Sequence, residues 1–306
     1  MIIVKENQMA KDIIKVDHIF KSIGQKTILE DISFSIASNQ CVALIGPNGA
    51  GKTTLMSTLL GDISISSGAL TIFNLPAHHN RLKYKVAILP QENVLPSKFT
   101  VRELIDFQRC LFPEVLPMSL ILDYLQWSDA HLQQFTETLS GGQKRLLAFV
   151  LTLVGKPQLL FLDEPTSGMD TSTRQRFWEL VATLKKEGDT IVYSSHYIEE
   201  VEHTADRILV LHKGKLLRDT TPFAMKQEKT EKLFTVPLSY QKLLPTYLIT
   251  ECEAKSDSIT FVTGEAETVW KILADNGCPI EAIEMTNRTL LNRIFETTKE
   301  VKHENL

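Results

Sequence analysis

Cys41-Val-Ala-Leu-Ile-Gly46-Pro-Asn48-Gly49-Ala50-Gly51-Lys52-Thr53-Thr54 sets the reading of the whole chain. A continuous apolar strand runs into a glycine-rich turn, and Thr53 to Leu60 follows as a helix. The spacing is G-x-x-x-x-G-K-[ST] in the order strand, turn, helix, which is the pattern of a phosphate cradle. Glycines let the backbone curl so that its N–H groups point inward. The helix start adds the positive end of its dipole. Lys52 brings a mobile cation for the β- and γ-phosphates, and Thr53 a hydroxyl for Mg²⁺. The candidate nucleotide contacts are therefore Gly46, Asn48, Gly49, Ala50, Gly51, Lys52, Thr53 and Thr54.

Further along, Leu159-Leu-Phe-Leu-Asp163-Glu164 reads as a buried strand ending in two carboxylates. Beside a phosphate loop, Asp163 is the candidate Mg²⁺ ligand. Glu164, at the mouth of the strand, is the candidate that polarises the attacking water. Around these two stretches, strand-like and helix-like segments alternate to about Arg218. Ile13 to Phe20, Ile32 to Ile36, Val86 to Leu89 and Thr190 to Tyr193 read as strands. Thr100 to Cys110, Leu116 to Gln134, Gln143 to Val154 and Thr173 to Glu187 read as helices, the first opened by a capping box of Thr100 and Glu103. Alternation of this kind predicts an α/β domain with a largely parallel sheet.

Leu139-Ser140-Gly141-Gly142-Gln143 lies between the phosphate loop and the acidic strand. It resembles the signature sequence of ABC ATPases. The resemblance implies a P-loop cassette with a helical subdomain at about 92–140. It also implies that Ser140, Gly141, Gly142 and Gln143 bind the γ-phosphate held by a second cassette, so that two cassettes close head to tail around two ATP molecules. On the same resemblance Gln91, in Leu89-Pro90-Gln91-Glu92, is the glutamine loop, a further contact to Mg²⁺ and γ-phosphate. Asp170, in Ser167-Gly168-Met169-Asp170, belongs to the loop that crosses between subunits. His196, after Ser194-Ser195, is the switch histidine. Singly, Gln91 and His196 would pass as ordinary polar residues, and only their order within the cassette singles them out. Ser194 to His203, followed by Ala205-Asp206-Arg207, resembles exporter cassettes of the ABC-2 type, and so does the block Thr289 to Thr298 near the C-terminus.

Two positions depart from the family pattern. Ile23, before Gly24, stands where an aromatic ring usually stacks on adenine, so weak discrimination between ATP and GTP is expected. Arg145 and Leu146 stand where a Gln-Arg pair often follows the signature, which implies different packing of that helix.

The remaining composition bounds the function. The chain has 306 residues, with Lys+Arg 33 against Asp+Glu 37 and a net charge of −4, which argues against a general nucleic-acid binder. Cys41, Cys110, Cys252 and Cys278 form no CxxC pair, so free thiols in a reducing compartment are expected. No run approaches the ~20 apolar residues of a membrane span. The chain is expected to be cytoplasmic and peripheral at the inner face of the membrane. The resemblance to ABC ATPases implies as partners a transmembrane permease subunit and a second copy of itself or a related cassette. The expected divisions are a leader at 1–12, the cassette at 13–218, a polar linker at 219–231 and a small α+β domain at 232–306. In that last domain Leu233 to Pro237, Ser258 to Val262 and Ile280 to Met285 read as strands. Tyr240 to Tyr247, Glu265 to Asn276 and Thr289 to Thr298 read as helices.

Overall fold

Ile14 and Val16, two residues apart, are buried on one face of a long hairpin, and a register shift before Ile19 returns its side chain to the core. The strands of the hairpin are β1 (Asp12–Ile23) and β2 (Lys26–Ala37), paired antiparallel. The computed structural model describes residues 11–92, 94–227 and 231–288, and the chain divides into two units between Pro222 and Phe223. Of the expected leader at 1–12, residues 1–10 lie outside the described residues and Asp12 already opens β1; the helix expected at Thr289 to Thr298 also lies outside them.

After the hairpin come β3 (Cys41–Ile45), α1 (Lys52–Leu60), β4 (Ser67–Ile72) and β5 (Leu75–Pro76). Then follow β6 (Val86–Leu89), α2 (Val101–Cys110), α3 (Met118–Leu125), α4 (Asp129–Leu132) and α5 (Gly141–Leu153). The unit continues with β7 (Leu159–Leu162), α6 (Thr171–Glu187), β8 (Thr190–Ser195), α7 (Ile198–Thr204), β9 (Arg207–His212) and β10 (Lys215–Thr220). One sheet has the order β2-β1-β4-β5 and is antiparallel; the other has the order β10-β9-β3-β8-β7-β6. In the second sheet β9, β3, β8, β7 and β6 are parallel neighbours, and β10 closes the edge antiparallel to β9. All residues of β3, β7 and β8 are buried, as expected for strands covered on both faces. This parallel order sends the ends of β3, β6, β7 and β8 to one edge of the sheet, where ligands bind in such folds.

The helices expected through Leu116 to Gln134 are α3 and α4. They are separate because Gln126 takes the left-handed conformation (φ 54°) and ends α3, and Ser128 then opens α4. The capping box at Thr100 is present: Thr100 Oγ1 accepts from the Glu103 N–H at 3.2 Å, and Glu103 Oε2 accepts from the Thr100 N–H at 2.9 Å. The expected linker differs at its start. Asp219 lies within β10 and accepts two bonds from Arg207 across the ladder.

Asp189 sits between α6 and β8, where burial and the neighbouring Glu187 push its pKa up to about 6. The folded state therefore holds a proton that the unfolded chain releases near its ordinary value of about 3.9. Between those values the folded state binds more protons, so this group's contribution to stability falls as pH rises and is lost above about 6. Asp189→Asn should raise the melting temperature at pH 7.5 and change it little at pH 4. An equal shift at both pH values would refute this.

The second unit holds α8 (Pro222–Gln227, at the division), β11 (Glu231–Pro237), β12 (Thr250–Ala254), β13 (Ser258–Thr263), α9 (Ala266–Asp275) and β14 (Glu284–Arg288). Its sheet is antiparallel with order β12-β13-β11-β14. Phe234 and Phe261 stack at 5.6 Å over a core with Val236, Ile259, Val269 and Leu273. The pairing of β12 with β13 carries an irregularity between Thr250 and Glu253, with Glu251 at φ 51°. Two expectations change here. Tyr240 to Tyr247 is not an α-helix but a 3₁₀ stretch at Leu238–Leu243, hemmed in by Pro237 and Pro245. Ile280 to Met285 starts as a 3₁₀ turn after Pro279, and the strand begins only at Glu284.

Candidate active site

The phosphate loop is built by the exit of β3. A Cβ on Gly46 would lie 2.2 Å from the Leu211 carbonyl oxygen, so only glycine lets the chain pass β9. Gly51 caps α1 at φ 104° and gives no side-chain cap to it, so the first-turn N–H groups of a nine-residue helix are left for an anion. Lys52 is buried, and its ammonium donates to the carbonyls of Gly46 at 2.7 Å and Pro47 at 3.2 Å. Burial pulls its pKa down, while Glu164 and Asp163 pull it back up. Ala50 accepts from the Gly214 N–H at 2.9 Å, which ties the loop to the β9–β10 turn. Asn48, Gly49 and Thr53 are exposed, and Thr54 is half-buried.

At the end of β7, Asp163 is buried and its Oδ1 accepts from the Ser194 hydroxyl at 2.5 Å. The same hydroxyl oxygen accepts from the Glu164 N–H at 2.8 Å. Ser194, on β8, thus orients both acids, a role that sequence reading missed because nothing local distinguishes it. Glu164 has φ 42°, in the left-handed region, so the turn is strained and must be held by its surroundings. Its carboxylate is reached from two sides. Gln91 Nε2 donates to Oε2 at 3.2 Å, and His196 Nδ1 lies 3.5 Å from Oε1. Gln91 follows β6, Glu164 follows β7 and His196 follows β8, so three adjacent strand ends bring three expected site residues onto one carboxylate.

Ser140 is exposed and caps α5. Its Oγ accepts from the Gln143 N–H at 3.2 Å, and Gln143 Oε1 accepts from the Ser140 N–H at 2.9 Å. The Gln143 side chain is thereby engaged in its own helix cap, and Gly141 beside it is exposed. Gly142 packs against α6: a Cβ there would stand 3.1 Å from Asp170 Oδ2. Asp170 caps α6 through the Thr173 N–H at 2.9 Å and also accepts from the Ser172 and Thr173 hydroxyls, which together hold its pKa well below the carboxylate range. Among the described residues, no hydrogen bond joins Ser140 to Gln143 with the phosphate loop of the same chain. Ile23 is exposed at the tip of the β1–β2 hairpin. Arg145, one of the two departures from the family pattern, is buried behind the Glu164 turn.

Comparison with known proteins agrees with this geometry. The family model described as ABC transporter matches residues 29–167. The Nod factor export ATP-binding protein I of Rhizobium sp. (strain N33) is 36% identical over 230 residues, covering 72% of this chain and 74% of that protein. Its counterpart from Bradyrhizobium diazoefficiens is 37% identical over 231 residues, covering 72% and 74%. Among solved structures, CbiO1 from Clostridium perfringens, part of the ABC transporter complex CbiONQ, superposes with a TM-score of 0.63 at 27% identity, over 71% of this chain and 92% of that one. With the phosphate loop, the acidic strand end and the signature helix in place, the chain belongs to the ABC transporter family as an ATP-binding, ATP-hydrolysing cassette subunit.

Proposed function

We propose that two cassettes, either two copies of this chain or one copy with a related cassette, close head to tail around ATP and drive a separate permease that exports its cargo. The observation that carries the hydrolytic part is the Glu164 carboxylate held between Gln91 and His196, next to buried Asp163. The backbone N–H groups of Gly49 to Thr54 and the Lys52 ammonium bind and orient the phosphates. Glu164 then accepts hydrogen-bond character from the attacking water, and His196 and Gln91 hold that carboxylate in place and contact the γ-phosphate. Ser140, Gly141 and Gly142 of the opposite cassette complete the site. Gln143 supports them through its cap, and Asp170 fixes the start of α6 behind them.

An exposed hydroxyl on Thr53 and a buried carboxylate on Asp163, one of whose oxygens Ser194 already orients, are hard oxygen donors of the kind Mg²⁺ takes. With the Gln91 side-chain oxygen they would hold the ion, which when bound neutralises charge on the phosphates.

Among the described residues no helix is long and apolar enough to cross a membrane, so the transport path is assigned to the partner. Export is supported by the rhizobial relatives, which are Nod factor export ATP-binding proteins, and by the ABC-2 resemblance. The place of action is the cytoplasmic face of the membrane. The test is affinity capture of the tagged protein from gently solubilised native membranes with mass spectrometry. A polytopic permease at near-stoichiometric amount is expected. Ribosomal or DNA-associated partners with no permease would replace the transport reading with that of a soluble ABC ATPase.

Base selectivity follows from Ile23. An aliphatic side chain offers apolar contact and no ring to stack, so GTP should compete with ATP within about tenfold, whereas Ile23→Tyr should tighten ATP binding by about tenfold, since stacking on a base contributes ~1–3 kcal/mol. Competition binding with both nucleotides checks it, and a large native preference for ATP would contradict it.

A further inference from the structure

Arg145 occupies the second turn of α5, five residues after Ser140, and is only 6% exposed. Among the described residues no carboxylate bonds to it. Instead, Nε donates to the Pro165 carbonyl at 3.0 Å, Nη1 to Pro90 at 2.5 Å and Gln91 at 3.0 Å, and Nη2 to Asp163 at 2.8 Å and Glu164 at 3.2 Å. A guanidinium has five N–H donors in a fixed plane, and here five main-chain carbonyls take them. Three of these carbonyls belong to the strained turn that carries Glu164, and two to the segment that carries Gln91. The charge is stabilised by the nearby Asp163 and Glu164, although burial lowers the pKa to about 10.

This arrangement rests three segments on one side chain. The Glu164 turn is gripped at its N–H by Ser194 and at its carbonyls by Arg145. The Gln91 segment is held to that turn only partly through its own side chain, and Arg145 supplies two further bonds. The same helix opens at the exposed Ser140 cap, about one turn before Arg145. A displacement of α5 therefore moves the carbonyls that set where the Glu164 carboxylate and the Gln91 amide point.

We propose that Arg145 is a positioning residue for hydrolysis: it fixes Glu164 and Gln91 relative to each other and links both to the helix that opens at Ser140. This rests on the role given to Glu164 above. Arg145→Lys keeps the charge but offers three donors from a single point, which cannot span five carbonyls. We expect kcat to fall about 100-fold, the loss that a small misplacement of a catalytic group causes. ATP affinity and the KM for ATP should stay within about twofold of wild type, because no phosphate contact is removed.

Two further measurements separate positioning from general damage. Added guanidinium at millimolar concentration should restore part of the rate of Arg145→Ala, and sodium at equal ionic strength should not. In the Glu164→Gln background Arg145→Lys should lower the residual rate no further, since the two residues act as a unit. Wild-type kcat in Arg145→Lys, a loss expressed in KM and ATP affinity alone, or an additive loss in the double variant each overturns the proposal. If Glu164→Gln alone keeps full activity, the fault lies with the role of Glu164. If Glu164→Gln is inactive and Arg145→Lys is normal, only the role of Arg145 fails.

Discussion

Glu164→Gln should leave ATP bound and lower turnover by about 10²–10⁴-fold, the usual contribution of a general base. The amide matches the carboxylate in shape, so the turn keeps its bonds from Ser194 and Arg145 through the main chain. What disappears is the charge between Gln91 and His196 that draws a proton from water. Phosphate release under single-turnover conditions measures the loss, and filter binding measures the retained ATP. The variant should also persist as an ATP-bound dimer on size exclusion, because closure precedes hydrolysis in the proposed cycle. Undiminished phosphate release would falsify the assignment of Glu164.

Lys52→Ala should weaken ATP binding by about 10- to 100-fold, since a hydrogen bond to a charged group contributes ~1.5–3 kcal/mol and 1.4 kcal/mol is a factor of ten. The effect differs from the first in kind: affinity falls together with the rate. Stability should move the other way. The ammonium is buried against the carbonyls of Gly46 and Pro47, and burial disfavours its charged form. An uncharged Lys52→Met side chain removes that desolvation cost, so its melting temperature without nucleotide should equal or exceed that of the parent. Isothermal titration with ATP and a thermal melt of the same sample give both answers. Unchanged affinity would remove Lys52 from the phosphate site.

The parts of the site that a reader of the sequence can find are those whose chemistry is packed into neighbouring residues. Gly46 to Thr54 carries its loop, its cation and its helix start in nine residues, and Asp163-Glu164 ends an unmistakable apolar strand. Gln91 and His196 required the family order, because a lone polar residue has no local mark. Ser194 and Arg145 were illegible. Their partners lie 30 to 31 and 18 to 55 residues away, and only the parallel sheet brings them together. Arg145 registered in the sequence merely as a departure from a pattern. In the fold, the parallel sheet followed from buried apolar runs. The breaks at Gln126 and at Pro237 to Pro245 did not, because they depend on single backbone conformations that override the local pattern.

The irregular strand Thr250–Ala254 has a colloidal consequence. Among the described residues it is the outermost strand on its side of the second unit's sheet, and all five of its residues are exposed. An exposed outer strand is in general an invitation to stack with other chains. Here the bulge around Glu251 throws the ladder out of register, and Glu251 and Glu253 add like charges along it. The out-of-register, acidic border thus disfavours edge-to-edge stacking of crowded copies.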